Sequence, residues 1–167
     1  MKFFLQLKHW QLFLITFGLP NLFSFISFPK FGIIYYIGSL LMFSGLFGWI
    51  WSIANVFYYK INDREKFKLL RFRTMLFMSL SILILVFWSS EKNSLLKSLY
   101  PYILFSVPFY LAMMIYIILF AAKTLRTAEL GRLAEFKEYL AEGVLIWIFP
   151  IGIWILQPRI NKIMETI

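Results

Sequence analysis

The chain has 167 residues, 61% of them hydrophobic and 21% aromatic, against about 45–50% apolar for an ordinary soluble domain. A globule of this length still exposes about a third of its unfolded surface, so the excess Phe, Leu and Ile would face water; this argues against a soluble fold and for one solvated by lipid. The net charge of +9 is spread over short basic stretches between apolar spans, where it sets membrane orientation, and no nucleic-acid partner is expected. Without cysteine, and with His9 as the single histidine, disulfides and thiolate metal ligation are excluded.

The basic start, Met1 to His9, precedes an apolar run from Trp10 that passes Pro20 and Asn21 without a small-x-small cleavage site. It reads as a retained first helix over about residues 10–28, ending at the breakers Pro29-Lys30-Phe31-Gly32. The second span, 33–59, carries no charge and has Tyr35-Tyr36 and Tyr58-Tyr59 at its ends. At 1.5 Å per residue those pairs lie about 34 Å apart, the distance between the interfaces of a bilayer. A third span covers about 70–89, with Arg71 and Arg73 able to snorkel at its start. The polar loop Ser90-Glu91-Lys92-Asn93-Ser94 leads to a fourth span over 100–122, in which Pro108 predicts a kink.

Residues 123–142 are polar, with Leu130, Leu133, Phe136 and Leu140 at three- and four-residue steps. The pattern predicts a cytoplasmic amphipathic helix on the membrane surface, interrupted at Gly131. The last apolar stretch, 143–157, has about 15 residues where spanning takes about 20, and it carries Pro150 and Gly152. Two geometries stay open: a thin crossing, or a segment that dips in and returns. The expected fold class is thus an all-α integral membrane protein, a single multi-pass domain with four transmembrane helices plus this short fifth segment.

Lys and Arg counting places the amino terminus in the cytoplasm. Lys2, Lys8, the 60–73 stretch and Lys123, Arg126, Arg132 and Lys137 then lie inside, leaving Lys30, Lys92 and Lys97 outside. A returning last segment would bring Arg159 and Lys162 inside as well.

None of the four spans has an acid, His or Lys at its middle, the groups that proton-coupled transporters and intramembrane hydrolases require. No catalytic, metal or cofactor-binding residue is therefore assigned. In the second span Gly38, Gly45, Gly48, Ser52 and Asn55 share one side and form a candidate helix-packing face, for this chain's own bundle or for another membrane protein or a second copy. Lys60, Arg64, Lys66, Lys68, Arg71 and Arg73 are candidate contacts for anionic lipid headgroups. Pro150 and Gly152 form a candidate polar break, because non-helical backbone at membrane depth needs protein or a water-filled cavity around it. Glu129, Glu135, Glu138 and Glu142 alternate with basic residues as on a solvated helix face, and Glu142 borders the apolar stretch, where it would be costly to bury unpaired. The expected function is a non-catalytic accessory or scaffold subunit. The alternative is a small-solute transporter or channel lined by Asn21, Asn55 and the Pro150-Gly152 break; a lipid-directed enzyme using Glu142, Glu138 and His9 ranks third.

Two stretches, Leu7-Lys8-His9-Trp10-Gln11-Leu12-Phe13 and Phe149-Pro150-Ile151-Gly152-Ile153-Trp154-Ile155-Leu156-Gln157-Pro158-Arg159-Ile160-Asn161-Lys162, together resemble a family of small bacterial multi-pass membrane proteins of uncharacterised activity. The resemblance covers the two ends and the Ala122-Lys123-Thr124-Leu125 junction. It implies a bacterial inner-membrane location and carries no functional residue.

Overall fold

The structure, a computed structural model, describes residues 3–26, 33–89 and 100–165, all in helices or short connections. The breakers at 29–32 and the polar loop at 90–94 lie outside the described residues. A single turn, α1 (Phe3–Gln6), precedes α2, which covers residues 9–26. Lys8 breaks the two apart with an extended backbone (ψ 152°) and starts α2. Its N–H donates to Gln11 Oε1 at 2.9 Å, so the Gln three positions on caps the helix start.

Within α2 the turn Leu14–Gly18 is π-helical, and Leu19 N–H reaches back to Leu14 O. Pro20 supplies the reason: it lacks an N–H, and its ring would strike the carbonyl four residues earlier, at Thr16. Widening the preceding turn by one residue relieves that clash without ending the helix. α2 therefore continues past Pro20 to Ile26.

Three long helices follow: α3 (Ile33–Tyr58), α4 (Leu69–Ser89) and α5 (Tyr100–Leu130). By length and apolar content each is able to cross a membrane. A 3₁₀ turn, Arg64–Lys66, joins α3 to α4. Pro108 lies inside α5, which continues through it.

The surface helix expected over 123–142 is not one element. Residues 123–130 prolong α5, which has 31 residues and is roughly 46 Å long. The break falls at Gly131, whose φ of +67° is a left-handed conformation that glycine adopts without a Cβ clash. A new helix, α6 (Phe136–Trp147), then begins. Leu133 packs against the core, whereas Phe136 and Leu140 are exposed, so the four apolar residues do not share one buried face.

The short apolar stretch is divided as well. α6 ends at Ile148, which leaves the helical region (ψ 57°), and α7 (Phe149–Glu165) starts at once. Pro150 occupies the first turn of α7, where no N–H is required, so it starts a helix instead of breaking one. α7 runs back antiparallel along α6: Gly152 lies against the Leu145 carbonyl, and Arg159 reaches Glu142. The chain thus reverses at Ile148. The tip of this hairpin packs Phe149 against Phe17 (ring centroids 6.0 Å), next to Thr16, which touches Gly45 at the middle of α3.

The core concentrates toward one end of the bundle. Trp49, Ile50, Ile53 and Phe57 of α3 meet Phe72 of α4, Ile117 and Leu125 of α5, and Ile153 and Leu156 of α7. Phe72 stacks on Phe120 at 4.7 Å, and Phe67 meets the same ring edge-on. Toward the other end large apolar side chains are open, Phe105 by 78% and Phe109 by 71%. Such a patch needs lipid or a partner to cover it.

Candidate functional site

The two ends of the chain meet. α7 lies along α2, with Trp154 against His9 (4.7 Å) and Phe13 (5.8 Å). Fully buried Gln157 accepts from Trp49 Nε1 at 2.9 Å through Oε1. Its amide nitrogen lies 2.9–3.2 Å from the carbonyls of Phe4, Leu5 and Leu7 and 3.0 Å from Asn161 Oδ1. Asn161 in turn donates to Leu7 O at 3.2 Å. The chain leaves its helical path between α1 and α2, which strands those carbonyls, and Gln157 supplies the donors that a continuing helix would have supplied. One side chain thereby ties together α1, α3 and α7.

Two residues further on, Arg159 clasps the hairpin to α5. Its Nε and Nη2 donate to Glu129 at 3.1 and 2.6 Å, and Nη2 also reaches Glu142 at 2.9 Å. Arg126 Nη1 donates to Glu129 at 3.0 Å and its Nε stands 3.9 Å from Glu142. Glu142 is nearly buried, its side chain 6% exposed. Two arginines and two glutamates make a neutral cluster, the condition under which a buried carboxylate is tolerated. Among the described residues Glu142 Oε2 and Arg126 Nε have no hydrogen-bond partner.

The remaining acids go elsewhere. Glu138 pairs with Arg132 and accepts from the Glu135 N–H at 2.8 Å. Hydrogen bonds from Arg132, and then from the Glu135 backbone, hold the Glu138 carboxyl below the usual range. The four glutamates therefore do not converge as metal ligands would.

The small-residue face of α3 is covered by the chain's own amino-terminal helices. A Cβ at Gly38 would lie 2.8 Å from Pro20 O, one at Gly45 2.6 Å from Thr16, and one at Gly48 2.6 Å from Phe4. Ser52 is buried and bonds back to Gly48 O. Asn55 belongs to a different contact: its amide donates to Trp51 O, and its Oδ1 accepts from Arg73 Nε and Nη2 at 3.1 and 2.6 Å.

The six basic residues of the 60–73 stretch lie at the same end as the cluster. Several rest on aromatic faces: Lys60 over Phe57, Arg64 over Tyr59, Arg71 over Tyr116 and Arg73 over Trp51, with Lys123 over Phe67 beside them. Because α7 returns, Arg159 and Lys162 join this end too. Asn21, Asn55 and the Pro150-Gly152 pair, expected as the lining of a transporter, lie apart within the chain. Asn21 bonds to Phe17 O in its own helix near the level of Gly38, roughly 25 Å along α3 from Asn55. Pro150 and Gly152 sit inside the hairpin contact.

Sequence reasoning missed the Gln157 hub and the Arg159 clasp. Arg126 and Glu129, three apart, look like a solvated pair, and Arg159 lies 30 positions away from Glu129. The one usable signal was Glu142, a carboxylate bordering an apolar stretch. No family model, no curated protein and no solved structure matches this chain.

Proposed function

We propose that this chain is a multi-pass protein of a bacterial inner membrane that acts as a non-catalytic accessory or scaffold subunit. In this reading α2, α3, α4 and α5 cross the bilayer, and the amino terminus is cytoplasmic. The α6–α7 hairpin enters one leaflet and returns, so the carboxyl terminus is cytoplasmic as well.

The observation that carries the reading is where charge goes. The described Lys and Arg gather at one end of the bundle, as the positive-inside rule demands of a cytoplasmic face. The two acids drawn furthest into that end, Glu129 and Glu142, are engaged by Arg126 and Arg159 of the same chain. Groups used in this way hold helices in register. The apolar window of α4 is 22% buried against 50% for α3, which leaves α4 a side for lipid or a neighbouring membrane protein. Anionic headgroups are the natural contacts of the basic end.

Reporter fusions at Ile167 together with mild-detergent purification test this. The expected results are a cytoplasmic carboxyl terminus and co-purification with another membrane protein or a second copy. A periplasmic reporter would overturn the topology. A lone monomer that carries solute flux in liposomes would overturn the subunit role.

A further inference from the structure

Along α4 runs an open groove of about 510 Å³ whose described lining runs on that helix from Leu70 to Ile82, with Arg73 one turn in from Leu70. Its walls include Leu70, Phe77 and Met78. The two hydroxyls along it are already engaged, Thr74 Oγ1 with Leu70 O and Ser81 Oγ with Phe77 O, so among the described residues the groove presents apolar surface beside one cation, Arg73. That cation is fixed in place. Asn55 Oδ1, on a residue 1% exposed, receives the Nε and Nη2 edge of Arg73, and Trp51 lies 5.4 Å from the guanidinium carbon. Among the described residues Arg73 has no carboxylate within ion-pair distance. Three of its five N–H groups remain for a ligand.

We infer that this groove is a binding site for an anionic phospholipid of the cytoplasmic leaflet, with the phosphate on Arg73 and one acyl chain along α4. The inference rests on the membrane orientation proposed above. Charge complementarity selects the headgroup, because a half-buried guanidinium held by a neutral amide lacks the counter-ion that Arg159 has in Glu129 and Glu142. Dimensions select the tail. Nine residues of helix separate Arg73 from Ile82, roughly 13 Å, close to the half-thickness of about 15 Å that one leaflet contributes to the hydrocarbon core. A zwitterionic lipid would present the same phosphate but bring its own ammonium to this basic end, so its complex with Arg73 keeps a net positive charge that an anionic lipid removes. The site differs from a diffuse basic belt in that one of the six basic residues carries the selectivity.

The test is lipid retention by the full chain in nanodiscs of mixed phosphatidylglycerol and phosphatidylcholine, read by native mass spectrometry. The wild type is expected to retain phosphatidylglycerol over phosphatidylcholine by about fivefold, the equivalent of one well-placed basic contact. Arg73→Gln should abolish that preference, whereas Lys66→Gln and Lys68→Gln should leave most of it. Ser81→Trp, which fills the groove and leaves Arg73 in place, should reduce retention of the same lipid. Inorganic phosphate in excess should not displace it. Equal loss in all three charge variants would overturn the site in favour of a diffuse basic surface. An Arg73→Gln protein with unchanged preference would overturn it outright, as would a second copy of the chain occupying the α4 face in cross-linking. A chain that fails to enter nanodiscs at all would instead refute the membrane reading on which the site depends.

Discussion

The α6–α7 hairpin and α4 solve opposite problems. Each arm of the hairpin, 12 and 17 residues, is shorter than α3, α4 or α5, and it is held by directional contacts with the rest of the chain: the Gln157 hub, the Arg159 clasp and the Gly152 contact with the Leu145 backbone. α4 has 21 residues and a mostly apolar surface, so lipid alone would satisfy it, and most of its candidate spanning window is left uncovered. A helix bonds its own backbone and can stand in hydrocarbon, whereas a chain reversal within a leaflet needs protein around its exposed polar groups. The hairpin should therefore be sensitive to single substitutions that α4 would tolerate.

Gly152→Ala is the sharpest way to test that contrast. Its new methyl group would overlap the Leu145 carbonyl, a backbone group with no rotamer to give way. A cost of about 3 kcal/mol or more is expected, with the hairpin opening, while Leu85→Ala on the exposed side of α4 should cost under about 0.5 kcal/mol. Thermal unfolding of both variants in the same detergent measures the difference, and equal costs would remove the distinction.

Arg159→Met should have the next largest effect. It strands Glu142 beside Arg126 alone, and the penalty for breaking a buried pair, discounted because Arg159 is itself about a third exposed, is about 2 kcal/mol. Adding Glu142→Gln to Arg159→Met should recover part of that loss, because the uncompensated charge is gone; denaturant titration of the two variants reads the recovery. If the double variant is no more stable than the single one, the cluster is not coupled as its distances imply.

The smallest effect concerns the start of α6. Glu138 has a folded-state pKa depressed by Arg132 and the Glu135 N–H. Its contribution is therefore fully present above the unfolded value of about 4.3 and is lost as pH falls through the lower folded value. Acidification should loosen the first turn of α6 before the Gly152 contact, and Glu138→Gln should flatten that acid limb. Hydrogen exchange at residues 135–139 across the pH range checks it; an unchanged limb in Glu138→Gln would assign it to another carboxylate.

Much of the architecture was legible in the chain. The uncharged run of α3 with tyrosine pairs at both ends, the apolar lengths of α4 and α5, and the break at Gly131 all follow from composition and from the conformations that Gly permits. These are local properties: apolar length against bilayer thickness, and backbone preference at one residue. The continuation of α5 to Leu130 was hidden because Lys123–Leu130 is equally suited to an exposed helix of any attachment. Pro20 gave no sign of the π turn that absorbs it, and Pro150 reads as a breaker in any long apolar run until the reversal at Ile148 places it in a first turn.

By itself, the sequence determined that the protein is helical, apolar enough for lipid, and basic in a few segments. Only the tertiary structure decided that the last apolar stretch turns back, that Gln157 serves carbonyls about 150 positions earlier, and that, among the described residues, Arg159 finds two acids while Arg73 finds none. Those outcomes depend on which buried polar groups meet across the bundle. A hydrogen bond or ion pair is worth making at a site that water cannot reach, and no local pattern records which two distant residues will share that site.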